Sequence, residues 1–367
     1  MWQAMTIFAV VLLIYRYFIT SFKKKAPENL SISFSADHVR CREKEPVRLS
    51  LLIQNHKMMI LPIIKIVITM PDSFDGTSSD IDFAIQKRKT FTTVTSLRSF
   101  QQVLSEWEVL PQQRGYYEIE ARITLVNLFN TSRVELTETP MINLIVHPTP
   151  VDVERKMLNS SSSFGENFVN RFINPDPMFY LGTRDYLAGD SFKDIEWKKT
   201  AQLGKMQVKK YEYTSQPEFT VLLLAEDNAG LNYDHDPYVE SAVRLAAGVV
   251  DFAYRNKISV QFGCNNYGKF HRISTTAEFT HANIVNIYDE LSCCTGQIKL
   301  KSEELMNIQN VIVNKGYIII CNKYKDKYAY FIRKWLAQSG SVHLFVYDDS
   351  VPVSVRGVTV SKLEVEA

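Results

Sequence analysis

Hydrophobic positions follow four rhythms in turn along the chain. From Trp2 to Phe22 they run almost unbroken, with Arg16 as the one charge, and stop at Lys23, Lys24 and Lys25. A helix rises about 1.5 Å per residue, so this run covers roughly the 30 Å of a bilayer's hydrocarbon. Trp2 at one end and Tyr15, Tyr17 and Phe18 near the other suit the two interfaces, and Arg16 lies close enough to the lysines to snorkel. Between residues 28 and 150 the rhythm changes to period two. VRLSLLIQN (Val47 to Asn55), IIKIVITM (Ile63 to Met70), YYEIEARITLV (Tyr116 to Val126) and MINLIVH (Met141 to His147) are predicted strands, separated by turn signals such as PDSFDG and QQRG. They predict an all-β antiparallel unit, a sandwich of immunoglobulin type.

The rhythm lapses from 151 to 215, where NSSSS (Asn159 to Ser163), Pro175 and Pro177 precede a charged stretch. From 216 onward, continuous apolar runs return: EFTVLLLAEDN from Glu218, ISVQFGC from Ile258, YIIIC from Tyr317 and VHLFVYD from Val342. Such runs suit parallel strands buried on both faces. They alternate with helical spacing, clearest at Val239, Val243, Ala246, Val250 and Tyr254, behind Asp236 and Pro237 as N-cap and first position. Further helices are predicted near Ala282 to Leu291 and Tyr328 to Gln338. The expected fold is therefore a multi-domain α+β chain. It comprises a transmembrane anchor (1–25), a β-sandwich (28–150), a linker and signature segment (151–215) and a doubly wound α/β domain (216–367).

Composition narrows the function. At 367 residues the chain exceeds the size at which single cores stop growing. Its 42 basic and 40 acidic residues are mixed along the sequence, so no nucleic-acid partner is expected. Five scattered cysteines without a C-x-x-C pair read as reduced core thiols. Lysines follow the apolar run and no charged side chain precedes it, the reverse of a cleaved signal peptide. That asymmetry predicts a single-pass protein of the cell membrane with its bulk in the cytoplasm, so that the sequons at Asn29, Asn130 and Asn159 stay unused.

The densest chemistry lies between Tyr180 and Glu212. Arg184 presents a planar fork to a carboxylate, and Asp190, Asp194 and Glu196 are within local reach. Gly189 and Asp190 suit a turn that delivers a helix N-cap, with Ser191 to Ile195 as one or two helical turns. Trp197 is expected to bury its ring between Arg184 and Lys198. This set reads as a strut that doubles as a docking surface for another protein. A rival reading takes Asp176, Glu196 and Lys198 as the aspartate-then-E-x-K set of an Mg²⁺-dependent nuclease. Such short matches arise often by chance, and the chain lacks basic surface for tracking DNA. It also lacks a nucleophile–base pair, a phosphate-cradling loop and a zinc set. No enzymatic activity, cofactor or small-molecule substrate is expected.

The order Gly182, Arg184, Tyr186, Gly189, Asp190, followed by Ile195, Glu196, Trp197, Lys198, Thr200 and Ala201, resembles the signature of the domain of unknown function 58 family. The upstream RGYYEI (Arg114 to Ile119) and NLF (Asn127 to Phe129) are similar to that family too, so the resemblance covers nearly the whole length. It implies an N-terminal membrane segment, a β-sandwich and a von Willebrand factor A-like domain. It also implies a MoxR-type AAA+ ATPase as partner and a scaffolding role in complex assembly or at the cell envelope. The single hydrophobic span departs from the two that members commonly carry. The A-type metal motif D-x-S-x-S, expected after the first α/β strand, is replaced by Ala225-Glu226-Asp227-Asn228-Ala229, without its first carboxylate and both hydroxyls. Glu226, Asp227 and Asp234, with His235, are weak candidates for a substitute cation site, and a solvated acidic loop explains them more simply.

Overall fold

The apolar N-terminal run forms one helix, α1 (Trp2–Lys25). Its stretch Met5–Lys25 is long and apolar enough to cross a membrane, and most of it is exposed. Its end differs: Phe22, and Ala26 just past the helix, are buried in the core of the strands that follow. The computed structural model describes residues 2–76, 81–82, 88–153, 180–187, 190–211, 218–225, 237–266, 280–294, 298, 300–308, 315–337, 341–347 and 358–362. The chain divides into two units, Met1–Thr149 and Pro150–Ala367.

In the first unit the period-two pattern becomes a β-sandwich. Its strands are β1 (Leu30–Ala36), β2 (Arg40–Arg42), β3 (Val47–Asn55), β4 (Leu61–Pro71), β5 (Phe74–Gly76), β6 (Ile81–Asp82), β7 (Arg88–Leu97), β8 (Gln102–Pro111), β9 (Gly115–Val126), β10 (Arg133–Glu135) and β11 (Met141–His147). One sheet runs β1-β3-β8-β5; the other runs β2-β11-β9-β4-β7-β6, with β10 beside β9. Alternation does the sorting: Leu49, Leu51 and Ile53 of β3 point inward, as do Ile64, Ile66 and Ile68 of β4 and Ile119, Ala121 and Ile123 of β9. These side chains and Trp107 form one core shared by both sheets. The strands predicted at Val47–Asn55 and Met141–His147 are observed with those bounds. The expected purely antiparallel pairing is not, since β2 pairs parallel with β11.

The second unit opens on an antiparallel hairpin, β12 (Tyr180–Asp185) and β13 (Gln207–Tyr211), with the short helix α2 (Trp197–Leu203) between. Then come β14 (Glu218–Leu224), α3 (Pro237–Arg255), β15 (Ser259–Cys264), α4 (His281–Cys293), α5 (Ser302–Ile308), β16 (Lys315–Cys321), α6 (Tyr328–Ala337), β17 (Ser341–Val346) and β18 (Val358–Lys362). Five of these strands form a wholly parallel sheet in the order β15-β14-β16-β17-β18. Successive residues of β14 serve opposite layers. Val221 and Leu223 join α3 and α4 in one cluster, whereas Leu222 and Leu224 join α5 and α6 in the other. Trp335 of α6 stacks on Tyr317 of β16 at a centroid distance of 4.3 Å. Burial pushes the His343 imidazole of β17 down to about 3, so it stays neutral at physiological pH.

Gly248, inside α3, marks where the chain enters this unit. A Cβ there would lie 2.2 Å from the Val151 carbonyl oxygen and 2.7 Å from Val153 Cγ2. Gly248→Ala gains up to about 1 kcal/mol of helix propensity. Overpacking at a backbone contact costs roughly 1–3 kcal/mol or more. We therefore expect a lower denaturant midpoint for the second unit; a higher one would mean that residues 151–153 do not lie across α3.

Candidate functional site

The charged stretch folds as a loop tied across the β12–β13 hairpin. Leu181 is an extra residue where the register shifts between Tyr180 and Gly182, and Gly182 sits at φ 149°, a conformation other residues rarely adopt. Beyond β12, Tyr186 N–H donates to the Met206 carbonyl at 3.0 Å, and Glu196 N–H donates to the Gln207 carbonyl at 2.8 Å. The amide of Gln207 donates to the Asp185 carboxylate, and its backbone N–H donates to Thr200 Oγ1 at 3.0 Å. Ile195 and Val208, bridged across the hairpin, are the buried apolar contact beneath.

Arg184 chooses one of its three candidate partners. Its two terminal nitrogens donate to the two oxygens of Asp190, both at 2.7 Å. Asp190 also accepts from Leu187 N–H at 2.8 Å, and its own N–H returns to the Leu187 carbonyl at 3.0 Å. The guanidinium bond first, and then the Leu187 amide, hold the Asp190 carboxyl below its ordinary value; the same pair raises Arg184.

The other sequence-predicted residues fall as follows. The turn expected at Gly189 and Asp190 does not deliver an Asp190 cap, because that carboxylate is taken by Arg184. Ser191 is the cap, accepting from Lys193 N–H at 3.3 Å before a single 3₁₀ turn, Phe192–Asp194, in place of the predicted helical turns. Glu196 precedes α2 without a side-chain cap bond and lies 3.7 Å from Lys209. Trp197 is not buried as expected; it is 66% exposed, and so is the helix it begins, in which no residue is buried. Neither Arg184, committed to Asp190, nor Lys198, which is exposed, encloses the indole. Tyr186 stacks on Phe192 at 6.0 Å. Leu187, Phe192, Trp197 and Leu203 thus all present apolar surface to solvent, each more than half exposed. Gly189, Asp176, Glu226, Asp227, Asp234 and His235 lie outside the described residues, and among the described residues no group of three His, Cys, Asp or Glu side chains is placed to hold a metal.

A second polar site, missed in the sequence, lies at the carboxyl end of β14, where doubly wound sheets place ligands. The buried Asn265 side chain acts as an extra strand partner to Ala225. Its Oδ1 accepts from Ala225 N–H at 2.7 Å, and its amide donates to the Ala225 carbonyl at 2.7 Å and to Ser302 Oγ at 3.2 Å. Tyr238 donates to the Leu224 carbonyl at 3.3 Å. The available clue was the polar pair Asn265-Asn266 directly after a fully buried strand.

No family model matches the chain, and no curated protein matches it. Among solved structures it is similar to the CARDB domain of a Pyrococcus furiosus protein in complex with di-metal ions, at 16% identity, 32% of this chain, 91% of that one and TM-score 0.24. It is also similar to the cohesin module of a Clostridium perfringens family 33 glycoside hydrolase, at 7% identity, 32% of this chain, 95% of that one and TM-score 0.23. The sandwich rests on its own strand pairing.

Two outcomes follow for these sites. Asn265→Leu leaves the buried Ala225 N–H and carbonyl unpaired, and denaturant titration should show a loss of about 2–4 kcal/mol. Asp190, with its lowered value, contributes fully above the unfolded value of about 3.9, and that contribution disappears as pH falls through the folded value. The protection of the Leu187 amide, its exchange rate relative to the intrinsic rate at the same pH, should therefore be high at neutral pH and fall in acid, whereas Asp190→Asn should lower it at neutral pH and remove its pH dependence.

Proposed function

We propose that this chain is a membrane-anchored scaffold whose β12–β13 lobe docks another protein. The carrying observation is the combination of a bidentate Arg184–Asp190 clamp with outward-facing Leu187, Phe192, Trp197 and Leu203. A clamp of this kind fixes a loop before a partner arrives, which removes part of the ordering cost of binding. Exposed aromatic and aliphatic side chains on a fixed frame then serve as anchors. Of the nuclease set Asp176, Glu196 and Lys198, Glu196 lies 3.7 Å from Lys209, and Asp176 is outside the described residues.

The signature residues supply the rest of the reading. Their similarity to the domain of unknown function 58 family supports a MoxR-type AAA+ ATPase as the docked partner and a von Willebrand factor A-like identity for the α/β unit. That identity is consistent with a parallel sheet whose first strand, β14, lies inside it. The lysines that end α1 support a cytoplasmic location for both units.

The test is direct binding between the detergent-solubilised full chain and a purified MoxR-type ATPase. We expect Trp197→Ala and Phe192→Ala to weaken the complex by at least about tenfold without changing the unfolding midpoint. Undiminished binding by both variants would place the interface elsewhere. Mg²⁺-dependent DNA cleavage by the native chain, lost in Glu196→Ala, would replace the scaffold reading with the nuclease one.

A further inference from the structure

The end of α1 and three loops of the sandwich meet at one place. β1 begins at Leu30 opposite Asn55, the last residue of β3, and β4 begins at Leu61 opposite Leu97, the last residue of β7. β9 ends at Val126 opposite Ile63. The loops 56–60, 98–101 and 127–132 therefore share the end of the sandwich at which α1 arrives. They are tied to it and to each other: Lys57 Nζ donates to the carbonyls of Ala26 and Glu28, and His56 N–H donates to the Asn29 carbonyl at 3.0 Å. Asn55 Nδ2 donates to the Met59 and Arg98 carbonyls at 2.8 and 2.9 Å. The third loop is pinned by Asn127, whose Oδ1 accepts from the Thr131 and Ser132 amides at 2.8 and 3.1 Å.

These rigid loops carry apolar tips. Met58 is 80% exposed, Phe100 68% and Phe129 74%, with Ile60 and Leu128 beside them. Phe100 sits at φ 54°, a left-handed conformation that costs a bulky residue energy. Within the chain, that cost only brings an aromatic ring to the surface. Around the tips, Arg98 and Arg133 are exposed and the three lysines end α1, against Glu28 as the one acid in residues 20–29, 55–62, 97–102 and 127–133. The opposite end of the sandwich carries a mixed set, including Asp37, Glu45 and Asp72 among its basic residues.

We infer that this end of the sandwich seats directly in the surface of an anionic lipid bilayer, with Met58, Ile60, Phe100, Leu128 and Phe129 entering the boundary between headgroups and acyl chains. The inference rests on reading α1 as a membrane span. Given that span, the geometry leaves little alternative distance: Phe22 belongs both to the apolar helix and to the sandwich core, so no linker separates the bilayer from the loops. Interfacial segments of this composition bury apolar side chains about 5–10 Å deep. Aromatic rings favour that depth, and basic residues around them match anionic headgroups.

The test uses the full chain reconstituted in phosphatidylglycerol-containing vesicles. All five native cysteines are buried, so single cysteines at exposed sites take an environment-sensitive fluorophore selectively. Met58→Cys and Phe129→Cys report on the loops. Gln113→Cys reports on the opposite end, roughly 30 Å away along β8, and Leu13→Cys reports on the middle of α1. Expected are blue-shifted emission and quenching by headgroup-proximal nitroxide lipids at 58 and 129, both lost at 113, and a weaker blue shift in purely zwitterionic vesicles. Quenching at 13 by a nitroxide carried mid-chain in the lipid, without headgroup-proximal quenching at 58 or 129, overturns the inference while leaving the span intact. If 13 is not quenched either, the span itself fails. Labels at 58 and 129 that are shielded from aqueous iodide yet unquenched by lipid would assign the loops to a second copy of the chain and overturn the inference.

Discussion

A strand with no polar face cannot stand at the edge of a layer, and β14 is such a strand. Val221, Leu222, Leu223 and Leu224 are each at most 2% exposed. Burial of side chains of this size stabilises by roughly 1.5–3 kcal/mol apiece, so both faces of the strand demand a covering layer. Helices on both faces require crossover connections, and these in turn make the neighbouring strands parallel. All strands of the sheet then end at the same edge. The hydrogen bonds that Asn265 supplies to Ala225 satisfy the backbone at the point where β14 leaves its ladder.

Much of this was legible in the sequence, and the exceptions have physical causes. Alternation along Val47–Asn55 and Met141–His147 encodes strands because one face meets a core and the other does not. The unbroken run at 218–224 and the helical spacing after Pro237 are equally direct. The hairpin β12–β13 was not readable, since neither strand has a regular apolar side. Short α5 escaped for a similar reason, being set by its packing through Leu305 and Met306 rather than by a long periodic pattern. Within the signature segment, spacing offered Arg184 three carboxylates, and only the turn through Leu187 brings Asp190 within a bidentate grip. Trp197 reverses the usual expectation for a large aromatic because α2 has no layer above it. Exposure of this kind depends on what the rest of the fold leaves uncovered, which local residue types do not encode.

The two units expose apolar surface in different ways. In the sandwich, the exposed tips project from loops anchored at both ends by strand pairing and backbone-directed amides. In the β12–β13 lobe, an ion pair with two parallel hydrogen bonds holds the frame, and the apolar side chains radiate from a helix and a loop. Neither set belongs to its own unit's core clusters. Surface of that kind is what the two proposals assign, to a lipid boundary in one case and to a protein in the other.

The sulfur atoms carry a separate consequence. All five cysteines are buried and none forms a disulfide, and burial, reinforced by Glu45 and Asp37, pushes the Cys41 thiol up to about 12. A thiol that does not ionise is a poor nucleophile and a poor target for peroxide. With no disulfide to reduce and all five thiols buried, oxidants reach those thiols only after the chain has opened, whereas the exposed Met58 thioether stays open to them.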